Sequence, residues 1–135
     1  MKNIFLVRHG ETDFNKEGRY IGRTDKPLNS LGVSQAKEIA KKTKDLNVEI
    51  IYCSPLKRAV QTARFIAKNC SCEIIIRECF IERSIGDYEG LTKDEAKNKY
   101  PDLYLKNITR IFNESPPKGE TINEVIERVY FGLNE

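Results

Sequence analysis

The sequence predicts an α/β fold with a mainly parallel sheet. Three observations predict it. Ile4 to Val7, Val48 to Cys53 and Glu73 to Arg77 are short apolar runs rich in β-branched residues, with the length of strands. Two stretches with apolar residues at helical spacing separate them. The first and third runs lead into long loops rich in glycine and polar side chains, and Ser54-Pro55 stops the second. Strand, helix, strand, helix, strand in that order is the βαβ pattern, in which parallel strands are joined by right-handed crossovers.

Ile4-Phe5-Leu6-Val7 is uninterrupted and apolar, which reads as a strand buried on both faces. Arg8-His9-Gly10 comes at once after it, in the place where open α/β sheets bind ligands. Residues 10 to 30 carry Gly18, Gly22, Pro27, Asn29 and Ser30 and form a loop long enough to be functional. Asn29 or Ser30 can cap the next helix. That helix turns Ala36, Ile39, Ala40 and Thr43 inward and Lys37, Lys41, Lys42 and Lys44 to solvent.

Ser54-Pro55 ends the second strand, and Pro55 suits the first turn of a helix. Ala59, Thr62 or Ala63, Ile66 and Ala67 form its buried face. After the third strand, residues 78 to 91 make a second polar loop with Glu82, Arg83, Gly86, Glu89 and Gly90. Thr92 and Glu95 form a capping box that starts a short helix ending near Pro101. Leu103 to Phe112 is a weaker helical stretch, and Pro116-Pro117-Lys118-Gly119 is a turn. Thr121 and Glu124 form a second capping box, ahead of Ile122, Val125, Ile126, Val129 and Leu133 at helical spacing.

The 135 residues are expected to form a single domain, 1–135. With 23 basic and 20 acidic residues the charge is +3, too balanced to argue for a nucleic-acid or membrane partner. No apolar run reaches the length of a membrane span. Met1-Lys2-Asn3 leads straight into a strand rather than a signal peptide. A soluble, cytoplasmic protein is expected. Cys53, Cys70, Cys72 and Cys79 lack a zinc spacing and read as ordinary thiols in a reducing compartment. No metal site is expected.

Each strand-end loop contributes something reactive. The first carries Arg8, His9 and Asn15; the second Ser54 and, one turn into the helix, Arg58; the third Glu82. Strand ends of a parallel sheet share an edge, so these side chains can converge. Two arginines beside a histidine suit a phosphate, because a guanidinium fork matches its oxygens bidentately. Helix N-termini after Gly10 and Pro55 would add backbone N–H donors. Neighbouring cations favour a neutral imidazole, the form that attacks phosphorus. Glu82 stands where a carboxylic acid could protonate the leaving oxygen. Taken singly, each residue also has an ordinary structural reading, and spacing and composition alone do not decide between that and a phosphate site. His9 is the only histidine, so any histidine chemistry must use it.

Arg8-His9-Gly10-Glu11-Thr12 resembles the signature of the histidine phosphatase superfamily, the phosphoglycerate mutase-like proteins. Asn15, then Tyr20 to Asn29, then Gly32 with Gln35-Ala36 resemble the next blocks of that pattern. Ser54 to Ala63 is similar to the second signature, and Glu82, Gly86, Glu89 and Gly90 fit the third. Pro117, Gly119, Glu120 and Thr121 resemble the segment before the last helix, so the likeness runs from residue 3 to about residue 129. The resemblance implies a three-layer α/β/α sandwich. It implies His9 as the transiently phosphorylated nucleophile and Glu82 as proton donor. Arg8 and Arg58 become phosphate ligands, with Asn15 a further polar contact. It implies no cofactor and a small phosphorylated substrate.

One departure stands out. The family carries a second histidine on a strand after the last helix, and this chain has none. A C-terminally truncated sequence, lacking that strand and that phosphate ligand, is the favoured expectation. A homodimer in which a second copy lends a strand is kept open. The expected activity is a phosphomonoesterase, of the alpha-ribazole phosphatase type or broader. Glu82-Arg83 with Gly86 after it leans instead towards a phosphoglycerate mutase. A degenerate copy that binds phosphate without turnover is the alternative of another class.

Overall fold

The computed structural model describes residues 3–134. Its helices are α1 (Asp13–Lys16), α2 (Ser30–Thr43), α3 (Lys57–Cys70), α4 (Lys93–Lys99), α5 (Pro101–Leu105) and α6 (Ile122–Leu133). Strands β1 (Ile50–Cys53) and β2 (Glu73–Ile76) flank α3 in the chain, and 3-10 turns lie at Glu78–Phe80, Gly86–Tyr88 and Ile108–Arg110. The strands pair in parallel, Ile50 opposite Glu73 and Cys53 opposite Ile76. Helix α3 is the crossover between them and packs on both; α2 packs on α3. The contact between the two helices is built from small side chains. Gly32, Ala36 and Ala40 of α2 and Thr62 and Ala63 of α3 are all buried.

The helix boundaries are set by local chemistry. Asn29 caps α2 by accepting the Gly32 N–H at 2.8 Å. The expected capping boxes at Thr92/Glu95 and Thr121/Glu124 both form. A third, Thr12 with Asn15, opens α1. Pro55 lies just ahead of α3 rather than in its first turn, since the helix begins at Lys57 with Leu56 as N-cap. The Leu56 side chain cannot cap, and the Lys57 N–H is met instead by the Asp25 carboxylate, at 2.7 Å. Pro101 opens α5, so the weak pattern after it is one helical turn and a later 3-10 turn at Ile108–Arg110.

A hydrophobic core forms around Tyr88. Tyr88, Ala96 and Ile108 are buried together, and Tyr88 packs between Tyr20 and Tyr100 with ring centroids 5.5 Å from each. This core joins the two polar loops. Tyr20 N–H donates to the Leu91 carbonyl at 2.9 Å, and Gly90 N–H to the Tyr20 carbonyl at 2.8 Å. The loop after residue 10 and the loop after β2 are thereby zipped together, which sets the frame for the site.

One expectation that fails is the first strand. Among the described residues, residues 4 to 7 join no ladder. Ile4 is 88% and Leu6 95% exposed. Burial on both faces requires strands on either side and layers above and below, and among the described residues β1 and β2 pair only with each other. Tyr52, Ile50 and Ile76 of the sheet are also exposed.

Candidate active site

The turn at Gly10 and Glu11 fixes the position of His9. Gly10 is buried, and a Cβ there would run into the Gly32 backbone, with its Cα and carbonyl carbon at 2.8 Å, so only glycine allows this approach to α2. Gly10 N–H donates to Thr62 Oγ1 of α3 at 3.2 Å, and Glu11 N–H to Gln35 Oε1 of α2 at 2.8 Å. The turn after His9 is therefore fastened to both helices.

His9 is half-buried and has a defined hydrogen-bond pattern. Its Nδ1–H donates to the Gly10 carbonyl at 2.7 Å, which assigns the tautomer. That leaves Nε2 as an acceptor, and Arg58 Nε–H donates to it at 3.2 Å. Burial lowers the His9 pKa most, with Arg58 and Arg8 lowering it further against the raising effect of the Gly10 bond and Glu82. The imidazole is thus held neutral with its lone pair on Nε2.

Arg58, from the first turn of α3, is 1% exposed. Besides His9 it donates to the carbonyls of Thr24 at 3.1 Å and Gly22 at 2.8 Å. Burial lowers its pKa, and Glu82, Asp25 and Glu89 oppose that. Glu82 is exposed and close enough for its charge to act on both His9 and Arg58. Its carboxylate accepts the Arg83 N–H at 2.8 Å.

Arg8 and Asn15 line an open cleft of about 480 Å³ with His9, Gln35 and Lys42. Asn15 Oδ1 accepts from Thr12 N–H at 3.0 Å and Thr12 Oγ1 at 2.8 Å, which leaves its amide N–H₂ for a ligand. Arg58 and Glu82 do not line this cleft. A larger groove of about 880 Å³ between the end of β2 and α6 shares no residue with it.

The structure therefore brings His9 and Arg58 into contact, sets Glu82 near both and places Arg8 and Asn15 beside His9. Two expectations are corrected. The N–H groups of Gly10, Glu11 and Thr12 are taken by Thr62, Gln35 and Asn15. The first N–H of α3, at Lys57, is taken by Asp25. These four N–H groups are therefore not available as the expected anion donors. Ser54 Oγ accepts the Leu56 N–H at 3.3 Å and acts as a turn residue. Sequence reasoning missed Thr62, Asp25 and the acceptor role of Glu89, whose only signal is their place within the matched blocks.

The chain matches known proteins over nearly its whole length. The family model of the histidine phosphatase superfamily (branch 1) matches residues 4–135. The uncharacterized phosphatase PhoE of Bacillus subtilis is 39% identical over 133 residues, 98% of this chain and 63% of that protein. The probable phosphoglycerate mutase GpmB of Cronobacter sakazakii is 34% identical over 134 residues, 99% of this chain and 62% of that protein. Among solved structures, the alpha-ribazole phosphatase from Shigella flexneri superposes with a TM-score of 0.84 at 27% identity, covering 95% of this chain and 63% of that one. The chain thus spans about three-fifths of the length of the relatives it matches. With a matching family model over nearly its whole length and a phosphoglycerate mutase-like α/β fold, the chain belongs to the histidine phosphatase superfamily.

Proposed function

We propose that this chain carries the phosphoryl-transfer site of a phosphomonoesterase that acts on a small phosphorylated metabolite through a phosphohistidine at His9. The observation that carries the reading is the paired bonding of the imidazole. Nδ1–H is fixed on the Gly10 carbonyl, and Nε2 faces Arg58 at 3.2 Å. That is a neutral nucleophile next to a buried cation.

In this reading the phosphoryl oxygens are bound by Arg58, Arg8 and the Asn15 amide. Arg58 transfers its Nε–H bond from His9 to a phosphoryl oxygen, which frees the Nε2 lone pair. Nε2 attacks phosphorus and the P–O ester bond breaks, with its electron pair leaving on the ester oxygen. Glu82 is the group that gives that oxygen a proton. Water then attacks the phosphohistidine, Glu82 takes its proton, and the P–N bond breaks to return His9 and release phosphate.

Arg83 bears on the choice between phosphatase and mutase. Its guanidinium donates to the carbonyls of Glu120 at 2.7 Å, Thr109 at 2.7 Å and Glu114 at 3.4 Å. Three of its five N–H groups are thus spent on the 109–120 segment, which leaves fewer for a second charged group on a substrate. This supports the phosphatase reading. The S. flexneri relative suggests alpha-ribazole phosphate as a substrate to try first.

The test is a trapping experiment. The chain is mixed with a ³²P-labelled phosphomonoester and quenched in alkaline denaturant, which preserves phosphohistidine. Label on the protein, absent from His9→Ala, is expected. Turnover retained by His9→Ala would overturn the reading. Phosphate binding with neither label nor turnover would establish the non-catalytic alternative instead.

A further inference from the structure

We propose that Glu89 is a positioning residue for the phosphate site, acting on Arg58 and His9 through the backbone of residues 22–24. This deepens the proposed function and rests on that reading of Arg58 and His9.

Among the described residues, no carboxylate bonds Arg58 directly. Its two terminal nitrogens donate to the backbone carbonyls of Gly22 and Thr24, so its direction depends on where that loop lies. Glu89 holds the loop. Its Oε1 accepts the Arg23 N–H at 3.0 Å, and its Oε2 accepts the Thr24 N–H at 2.9 Å and the Thr24 hydroxyl at 2.7 Å. Oε1 also accepts from Ile85 N–H at 3.2 Å and Ser84 Oγ at 3.4 Å, which anchors the carboxylate in its own loop. One side chain thus takes donors from both polar loops.

Gly22 carries the same message independently. Its φ is +48°, and a Cβ there would run into the Glu89 carboxylate. The loop passes against the carboxylate with no room for a side chain. The Arg23 N–H that binds Glu89 and the Gly22 carbonyl that binds Arg58 belong to one peptide group, and the Thr24 N–H and carbonyl flank one Cα. Fixing one side of the loop aims the other.

The chain offers a clean reporter, because His9 is its only histidine. The charges that act on the imidazole are Arg58, Arg8 and Glu82, and Glu89 is not among them. Replacing Glu89 is therefore expected to reach His9 through one of these. Arg58 is the one that Glu89 positions.

The experiment is ¹⁵N-detected titration of His9 by NMR in the wild type, Glu89→Ala, Arg58→Ala and the double variant. Glu89→Ala is expected to raise the His9 midpoint in the same direction as Arg58→Ala. In the Arg58→Ala background, adding Glu89→Ala should change nothing further. Binding of inorganic phosphate, read from the same resonance, should weaken about tenfold or more when Arg58 loses its aim. An unchanged midpoint in Glu89→Ala, or an equal shift with and without Arg58, would overturn the proposal. If Glu89→Ala does not fold, Glu89→Gln serves. Its amide accepts at one oxygen only, so a smaller shift in the same direction is expected, and no shift refutes. The readout needs no turnover. A His9 shift without trapped label would sink the proposed function and spare the positioning role, and the reverse result would do the opposite.

Discussion

Thr62→Val changes a hydroxyl into a methyl of nearly the same shape, and it removes the bond that fastens Gly10 to α3. Thr62 is 4% exposed, and its Oγ1 accepts the Gly10 N–H at 3.2 Å while donating to the Arg58 carbonyl at 2.8 Å. The Gly10 N–H cannot turn elsewhere, because its Cα lies against the Gly32 backbone. A buried donor left unsatisfied costs about 1–3 kcal/mol. Burying the new methyl returns up to about 0.8 kcal/mol, so a net loss of roughly 1–2 kcal/mol is expected. For a domain near this size each kcal/mol lowers Tm by roughly 3–5 °C, a drop of about 3–10 °C. The assay is a thermal melt of both proteins monitored by circular dichroism, with hydrogen exchange of the Gly10 amide read by NMR. A melt within about 1 °C of wild type, with exchange at Gly10 no faster, would refute the reasoning.

The same geometry sets two other expected outcomes. The His9 pKa is lowered in the fold, so the unfolded chain binds the proton first as pH falls. His9 therefore contributes its full stability above the ordinary value near 6.5 and loses it as pH drops from there through the folded value. Urea midpoints of the wild type relative to His9→Gln should fall between pH 6.5 and pH 5; parallel midpoints would count against the buried neutral imidazole. Asp25→Ala should destabilise by about 1 kcal/mol, since it strips α3 of the side-chain acceptor for its Lys57 N–H, whereas Asp25→Asn should keep most of it. The Asp25–Lys57 ion pair is exposed and adds little. Equal urea midpoints for Asp25→Ala and wild type would refute this.

What the sequence made legible was local. The βαβ order rests on periodicities that read directly, and it appears as β1, α3 and β2. Thr92/Glu95 and Thr121/Glu124 announce capping boxes because the pattern needs four consecutive residues and nothing else. Thr12 with Asn15 escaped because Asn15 also fits a ligand contact, and in the fold its two ends divide these tasks. The site residues were legible as types, and His9 and Arg58 do meet across 49 positions of sequence. Their supports were not, because the acceptors that hold Arg58 are main-chain carbonyls, which leave no mark in a sequence. The failure at Ile4 to Val7 has a different cause. An apolar run states what a strand would bury, and its burial depends on neighbours elsewhere in the fold.

The carbonyl cage around Arg58 has a consequence for how the site meets ions. Two peptide oxygens locate the guanidinium without cancelling its charge, as a directly bonded carboxylate would. Among the described residues, two of its five N–H groups stay unspent. On the proposed reading, the pull on an anion is set by charge and tetrahedral shape, and it is not expected to distinguish a substrate's phosphoryl group from a free oxyanion. Sulfate and phosphate in a buffer are then expected to compete for the same place, so that activity measured in either falls below that in a non-coordinating buffer.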